Sequence, residues 1–328
     1  MSAKQRTTES VSAKQPTGEI VSAKQRTTES VNAKRRIEEA RAGWAMTAPA
    51  LAAIVVFFAL PAIASLVLSF TDFDIYALAD LGNLRFVGLQ NYERLLENPL
   101  FWKAMANTMW FVALGVPLVV FLSLAAAMLV NSRWLAWRPL WRVALFAPFV
   151  TTLVATAVVW RYLLHTRYGL VNYLLSLFGI APIDWLGSPT ASLPAILIFV
   201  GWKSFGYNMI IFLAALQTVP RELDEAARID GAGWWTRLRH VTLPAIAPTV
   251  LLVSVLTVAA MFQLFAEPYV MTQGGPAQST VTILYFMYEE GFKWWNLGSG
   301  AAVAFLLFLC ILAVTLVQLR LARRSGAI

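Results

Sequence analysis

A chain of 328 residues with 59% hydrophobic and 13% charged side chains and a mean hydropathy of +0.63 belongs in a membrane rather than in water. Its formal charge of +8 would suit nucleic acid, but the basic residues collect between apolar runs, a topology pattern that argues against that class. One Cys and two His, with Cys310 inside an apolar run, exclude an intrachain disulfide and suggest no metal cluster.

The chain opens with a ten-residue repeat over residues 2–31: SAKQRTTESV, SAKQPTGEIV, SAKQRTTESV, then the partial copy NAKRR. Such a polar, low-complexity tract cannot bury enough apolar surface to fold alone, and its period is well below those of solenoids. Residues 1–43 therefore read as a disordered cytoplasmic tail whose basic end, Lys34, Arg35, Arg36 and Arg41, sits at anionic headgroups. Residues 44–328 read as the membrane domain. The first apolar run is too long for a signal peptide.

Six charge-poor stretches follow, each long enough for a bilayer core of roughly 30 Å, which takes about 20 helical residues. They run from Met46 to Phe70, Ala104 to Val130, Val143 to about Leu164, within Ala191 to Val219, within Ala247 to Tyr269, and from Gly298 to Leu319. Pro61, Pro117, Pro148 and Pro194 fall inside them, which lipid tolerates when neighbours satisfy the freed carbonyls. The expected fold is all-α and polytopic, with six transmembrane helices. Many of the 13 Trp lie near the ends of these runs, as interfacial anchors do.

Orientation follows from Lys and Arg. Nine lie in the tail, three in 131–142, four in 220–246 and three after residue 319, against five in the alternate segments. The excess marks the cytoplasmic side, so both termini and the 220–246 loop are expected inside.

That loop is the one long polar segment of the C-terminal half. Pro220 suits a first helical turn, and Glu222, Asp224 and Glu225 follow where carboxylates favour the dipole. Leu223, Ala226 and Ala227 form a narrow face suited to close docking. Asp230-Gly231 is a stop, since Gly adopts the left-handed conformation at no steric cost. A second short helix is expected from Trp234 to His240, with Leu243-Pro244 turning the chain back into apolar sequence.

Glu225-Ala226-Ala227, Asp230-Gly231-Ala232 and Val241-Thr242-Leu243-Pro244, in this order and spacing, resemble the EAA loop of binding-protein-dependent ABC importers. The bland reading is an amphipathic hairpin lying on the membrane surface. Residues 86–108 and 270–292 are similar to two extracytoplasmic segments of the carbohydrate-uptake permeases, a subfamily that also takes up glycerol 3-phosphate and glycerol phosphodiesters. The resemblance covers most of 44–320 and leaves out the tail. It implies a type I importer transmembrane domain in the cell inner membrane. The implied partners are a second homologous permease, an ATPase dimer holding ATP-Mg, an extracytoplasmic solute-binding protein, membrane lipid and a small-molecule sugar. It makes residues 220–246 the coupling loop, with Glu225 as docking anchor, Ala226 and Ala227 in close contact, Asp230-Gly231 as the break, and Leu243 and Pro244 closing the motif.

Between Asp184 and Arg221 the only charge is Lys203, near the centre of the fourth stretch. An ammonium there costs about 2.5–3.5 kcal/mol on insertion scales and should face a cavity or a partner. Tyr207 lies one turn on, Ser204 and Asn208 form the adjacent pair, and Gln263 and Glu267 share that spacing in the fifth stretch. Hydroxyl, amide and aromatic groups are what sugar recognition uses. Lys203, Ser204, Tyr207, Gln263 and Glu267 are therefore the expected lining of a substrate path. The resemblance supports Ser204, Tyr207 and Gln263, while Lys203 and Glu267 are charged where many relatives are neutral. Their structural alternative is a Lys–Glu pair, or a lysine snorkelling to an interface.

Nothing points to an enzyme. No GxxxxGK[ST] occurs, so ATP hydrolysis falls to a partner, and no catalytic residue or cofactor is expected on this chain. An ion-coupled secondary transporter would usually show repeated halves, and a membrane enzyme would need a clustered acid, base or metal set; neither is found. Which sugar is carried is not written in the sequence.

Overall fold

The computed structural model describes residues 40–132 and 135–324. The ten-residue repeats and the expected disordered tail up to residue 39 lie outside the described residues. The chain divides into two units, one ending at Ala64 and one beginning at Ser65.

The first unit is most of helix α1 (Ala40–Leu68), apolar on all sides. At Val55–Ala59 its ladder widens into a π turn, with the Leu60 N–H reaching the Val55 carbonyl. Pro61 follows within two residues; it donates no hydrogen bond and crowds the turn before it.

The second unit holds the end of α1 and then α2 (Ile75–Ala79), α3 (Gln90–Glu97), α4 (Pro99–Asn131), α5 (Arg138–Val150), α6 (Leu153–Leu163), α7 (Leu170–Ser176) and α8 (Ser192–Thr218). These are followed by α9 (Arg221–Ile229), α10 (Trp234–Ala245), α11 (Ala247–Phe262), α12 (Ala266–Met271), α13 (Ile283–Tyr288) and α14 (Leu297–Arg324). Apart from one antiparallel bridge between Thr71 and Phe86, the described residues are organised by helices. The fold is all-α, as expected.

Four of the six expected spans are continuous helices: α1, α4, α8 and α14. The third and fifth are broken, which corrects the sequence reading. The third is two helices, α5 and α6, meeting at 98°, with Thr151 and Thr152 extended between them. The fifth bends 73° away from α10 at Ile246, ends at Phe262, and unwinds through Gln263–Phe265 before α12 begins. Pro268 supplies the reason: it has no N–H to offer the Leu264 carbonyl four residues back. That carbonyl takes the Thr282 hydroxyl instead, at 2.5 Å.

Burial is graded between the continuous spans. The most apolar windows of α4 and α14 are 22% buried, whereas that of α8 is 56% buried. Within the second unit α8 is thus the most enclosed of the continuous spans, while α4 and α14 leave most of their apolar surface uncovered. Side chains of α4, α6, α8 and α12 share one core cluster, and those of α4, α8 and α11 share another. Gly206 is the closest point: a β-carbon there would run into the Leu145 carbonyl of α5. Only glycine allows that approach.

Candidate functional site

A cavity of about 340 Å³ opens where α8 faces the broken fifth span. Ser204, Tyr207 and Asn208 line it from α8, Thr257 from α11, and Gln263 and Glu267 from the unwound segment and α12. The break is what turns Gln263 and Glu267 toward α8, because backbone without helical bonding is tolerated at membrane depth where it lines a cavity. Asn208 Nδ2 donates to Thr257 Oγ1 at 3.1 Å, tying α8 to α11 across the cavity floor. Phe149, the penultimate residue of α5, stacks on Tyr207 with centroids 4.7 Å apart and an interplanar angle of 21°. The result is an aromatic wall facing amides, hydroxyls and one carboxylate. Such a surface can hydrogen-bond a polyol and cover its apolar ring face.

Lys203 does not line this cavity. Its ammonium donates to the Pro148 carbonyl at 2.9 Å, the Thr151 carbonyl at 2.8 Å and Thr151 Oγ1 at 3.3 Å. Those carbonyls belong to the end of α5, where the break removes their helical donors. A cation at a helix C-terminus also matches the dipole. The three ion pairs among the described residues lie elsewhere, so Lys203 and Glu267 are not in the ion-pair contact of the structural alternative. Lys203 is buried, not snorkelling.

The 220–246 loop is two short helices held by local chemistry. Pro220 sits at the cap, one residue before α9, and Glu222 and Asp224 occupy the first turn. Gly231 has φ of +77°, and the Gly231 and Ala232 amides return to the Arg228 and Ala227 carbonyls at 3.0 and 2.9 Å. This is the glycine stop read from Asp230-Gly231. The helix after it runs on past His240 to Ala245, so the chain turns at Ile246 and not at Leu243-Pro244. Glu225 and Ala226 are exposed, Ala227 is half-buried, and Leu223 and Ile229 are exposed beside them.

Asp224 carries a role that residue type alone did not reveal. Its two oxygens each lie 3.0 Å from Arg237 Nη1, and Arg228 Nε lies 3.2 Å away. One carboxylate thus staples α9 to α10. The (i, i+4) spacing to Arg228 was visible; the link to Arg237, across the turn, was not. Phe149 and Thr257 were also missed, since an isolated Phe or Thr in an apolar run carries no signal. The two extracytoplasmic-like segments meet each other: Asn107 Nδ2 donates to the Val281 carbonyl at 2.9 Å, and the Ile283 amide donates to Thr108 Oγ1 at 2.9 Å.

The geometry is matched by known proteins. Residues 40–326 match the model of the binding-protein-dependent transport system inner membrane component family. The lactose transport system permease protein LacF of Rhizobium radiobacter is 35% identical over 286 residues, covering 86% of this chain and 94% of the relative. The trehalose/maltose transport system permease protein MalF of Thermococcus litoralis is 33% identical over 288 residues, covering 87% and 95%. Among solved structures, a bacterial ABC transporter that imports the acidic polysaccharide alginate superposes with a TM-score of 0.73 at 22% identity, over 89% of this chain and 99% of that one. At that identity the likeness speaks for the fold. ATP hydrolysis in such systems belongs to a separate subunit. The chain belongs to the binding-protein-dependent inner membrane components, the multi-pass permease subunits of ABC importers.

Proposed function

We propose that the cavity between α8 and the broken fifth span is the point at which a neutral saccharide or related polyol crosses the membrane. The observation that carries this reading is the convergence of Ser204, Tyr207, Asn208, Gln263 and Glu267 on one cavity with a stacked aromatic wall. Curated relatives at 33–35% identity bear the names of lactose and trehalose/maltose permeases, which points to the same class. Charge argues against an anionic sugar derivative such as glycerol 3-phosphate. Lys203 is spent on the end of α5, and no basic side chain lines the cavity to hold an anion.

In this reading Glu225, Ala226 and Ala227 seat in the partner ATPase, and Gly231 with Asp230 sets the angle between the two coupling helices. Leu243 and Pro244 pass the movement to the fifth span. The assembly contains a second, homologous permease, an ATPase dimer and an extracytoplasmic binding protein. Residues 44–328 form its membrane domain, and both termini lie in the cytoplasm, as the basic residues indicate. The test is uptake by the reconstituted assembly from a panel of labelled neutral and anionic sugars. Uptake of a neutral sugar, lost in the Tyr207→Ala and Gln263→Ala variants, supports the reading; uptake confined to anions overturns it.

A further inference from the structure

A second polar cavity, of about 590 Å³, lies between the start of α5, the end of α8 and the coupling segment. Arg138 and Arg142 line it from α5 and Arg221 from α9. None of these three guanidinium groups forms a hydrogen bond or ion pair with the described residues, and the Arg142 Nε is buried with no acceptor. The carboxylate on the cavity wall, Asp224, is already engaged by Arg228 and Arg237.

As it stands this arrangement is unfavourable in three ways. Arg138 and Arg142 are like charges one turn apart. They sit in the opening turns of a 13-residue helix, at the positive end of its dipole. A buried donor without an acceptor adds a further penalty. A single anion with several acceptor oxygens would relieve all of these together.

We propose that this cavity binds a phosphate group. Guanidinium forks match phosphate oxygens in pairs. Three guanidinium groups arriving from two helices suit a tetrahedral oxyanion better than a planar carboxylate. The phosphate can belong to an anionic phospholipid headgroup or be free in solution. Either occupant bridges the broken third span to the coupling helix, so occupancy sets how firmly the coupling movement reaches α5. The site is separate from the sugar path and does not depend on which side of the membrane the cavity faces.

The test uses the purified importer assembly in neutral detergent. Retention of phosphatidylglycerol and phosphatidylcholine is read by native mass spectrometry, and protection by inorganic phosphate is read as a rise in melting temperature. With lipid as the source, phosphatidylglycerol is retained over phosphatidylcholine, and Arg142→Gln lowers that retention about tenfold. Arg142→Lys, which keeps the charge and loses the fork, falls in between, and Arg320→Gln, on the last turns of α14, leaves it unchanged. With free phosphate as the source, the lipids are retained alike, but phosphate raises the melting temperature of wild type and not of Arg142→Gln. If Arg142→Gln does not fold, Arg221→Gln on the exposed start of α9 gives the same readouts. Equal lipid retention with no phosphate protection in wild type overturns the proposal, as does retention or protection that survives both Arg142→Gln and Arg221→Gln.

Discussion

The ammonium of Lys203 lies 2.8 Å from the carbonyl oxygen of Thr151, on a residue 52 positions earlier in the chain. A charge at membrane depth thus serves as the cap of a helix that stops there. It holds the end of α5 where Phe149 can stack on Tyr207, so the cavity wall depends on a residue outside the cavity.

Lys203→Met leaves the Thr151 carbonyl without its donor and the Pro148 carbonyl with the Thr151 hydroxyl alone. An unsatisfied buried acceptor costs about 1–3 kcal/mol, so the melting temperature in detergent falls and sugar uptake falls with it. Lys203→Arg, still cationic, recovers part of both. A Met variant with wild-type melting and wild-type uptake would remove Lys203 from this role.

Tyr207→Ala removes the aromatic wall and Gln263→Ala an amide from the same cavity. Each loss of about 0.5–1.5 kcal/mol of substrate contact corresponds to roughly a two- to tenfold weaker apparent affinity. The expected signature is a higher KM for uptake, while assembly with the ATPase is unchanged. Initial-rate uptake over a range of sugar concentrations separates this from a folding defect, which would lower the maximal rate through lost protein.

Asp224→Ala removes the staple between α9 and α10. The pair is partly exposed, and such pairs contribute about 0–1 kcal/mol, so global stability barely moves. The angle between α9 and α10 is no longer fixed, so, if these helices couple as proposed, sugar transported per ATP hydrolysed falls. An unchanged ratio would show that the staple is incidental.

Glu225→Lys inverts the charge of an exposed residue on α9 and leaves the membrane bundle untouched. The variant reaches the membrane at wild-type level, and recovery of the ATPase in an affinity pull-down drops. Full recovery with full transport would mean that Glu225 is not the docking anchor.

Gly206→Val puts a side chain into the Leu145 carbonyl. Overpacking of this kind costs roughly 1–3 kcal/mol, and the strain falls on the contact between α8 and α5. Lower melting temperature and lower yield are expected, measured beside Gly201→Val, where the added β-carbon meets nothing.

Local signals made the helix–stop–helix form of the 220–246 loop legible from sequence. The acidic first turn, the Gly231 stop and the basic second helix act within a few residues of one another, so their order in the chain is their order in space. The polar residues of the cavity between α8 and the fifth span were legible for a different reason: a Ser, Tyr or Gln in an apolar run is conspicuous. What they meet was not. The partners of Lys203 are backbone carbonyls, which every residue carries, and the break that frees them lies in another span. Counting apolar residues finds a span's length but not its continuity, so the third and fifth were read as single helices. Pro268 was the available clue to the fifth break, because a proline names the carbonyl it leaves bare. The contact of Lys103 with the Ala277 carbonyl, at 2.7 Å and 174 residues apart, had no local signal at all.

The broken spans also bear on how the chain enters the bilayer during synthesis. Helices of 13, 11 and 16 residues rise about 20, 17 and 24 Å at about 1.5 Å per residue, each short of a hydrocarbon core of roughly 30 Å. The third segment leaves the ribosome 52 residues ahead of the lysine that caps it, and the Leu264 carbonyl waits 18 residues for its threonine. Until then both breaks expose bare peptide groups to lipid. Each broken segment therefore settles only after its donor has been made, later than a continuous helix in its place would.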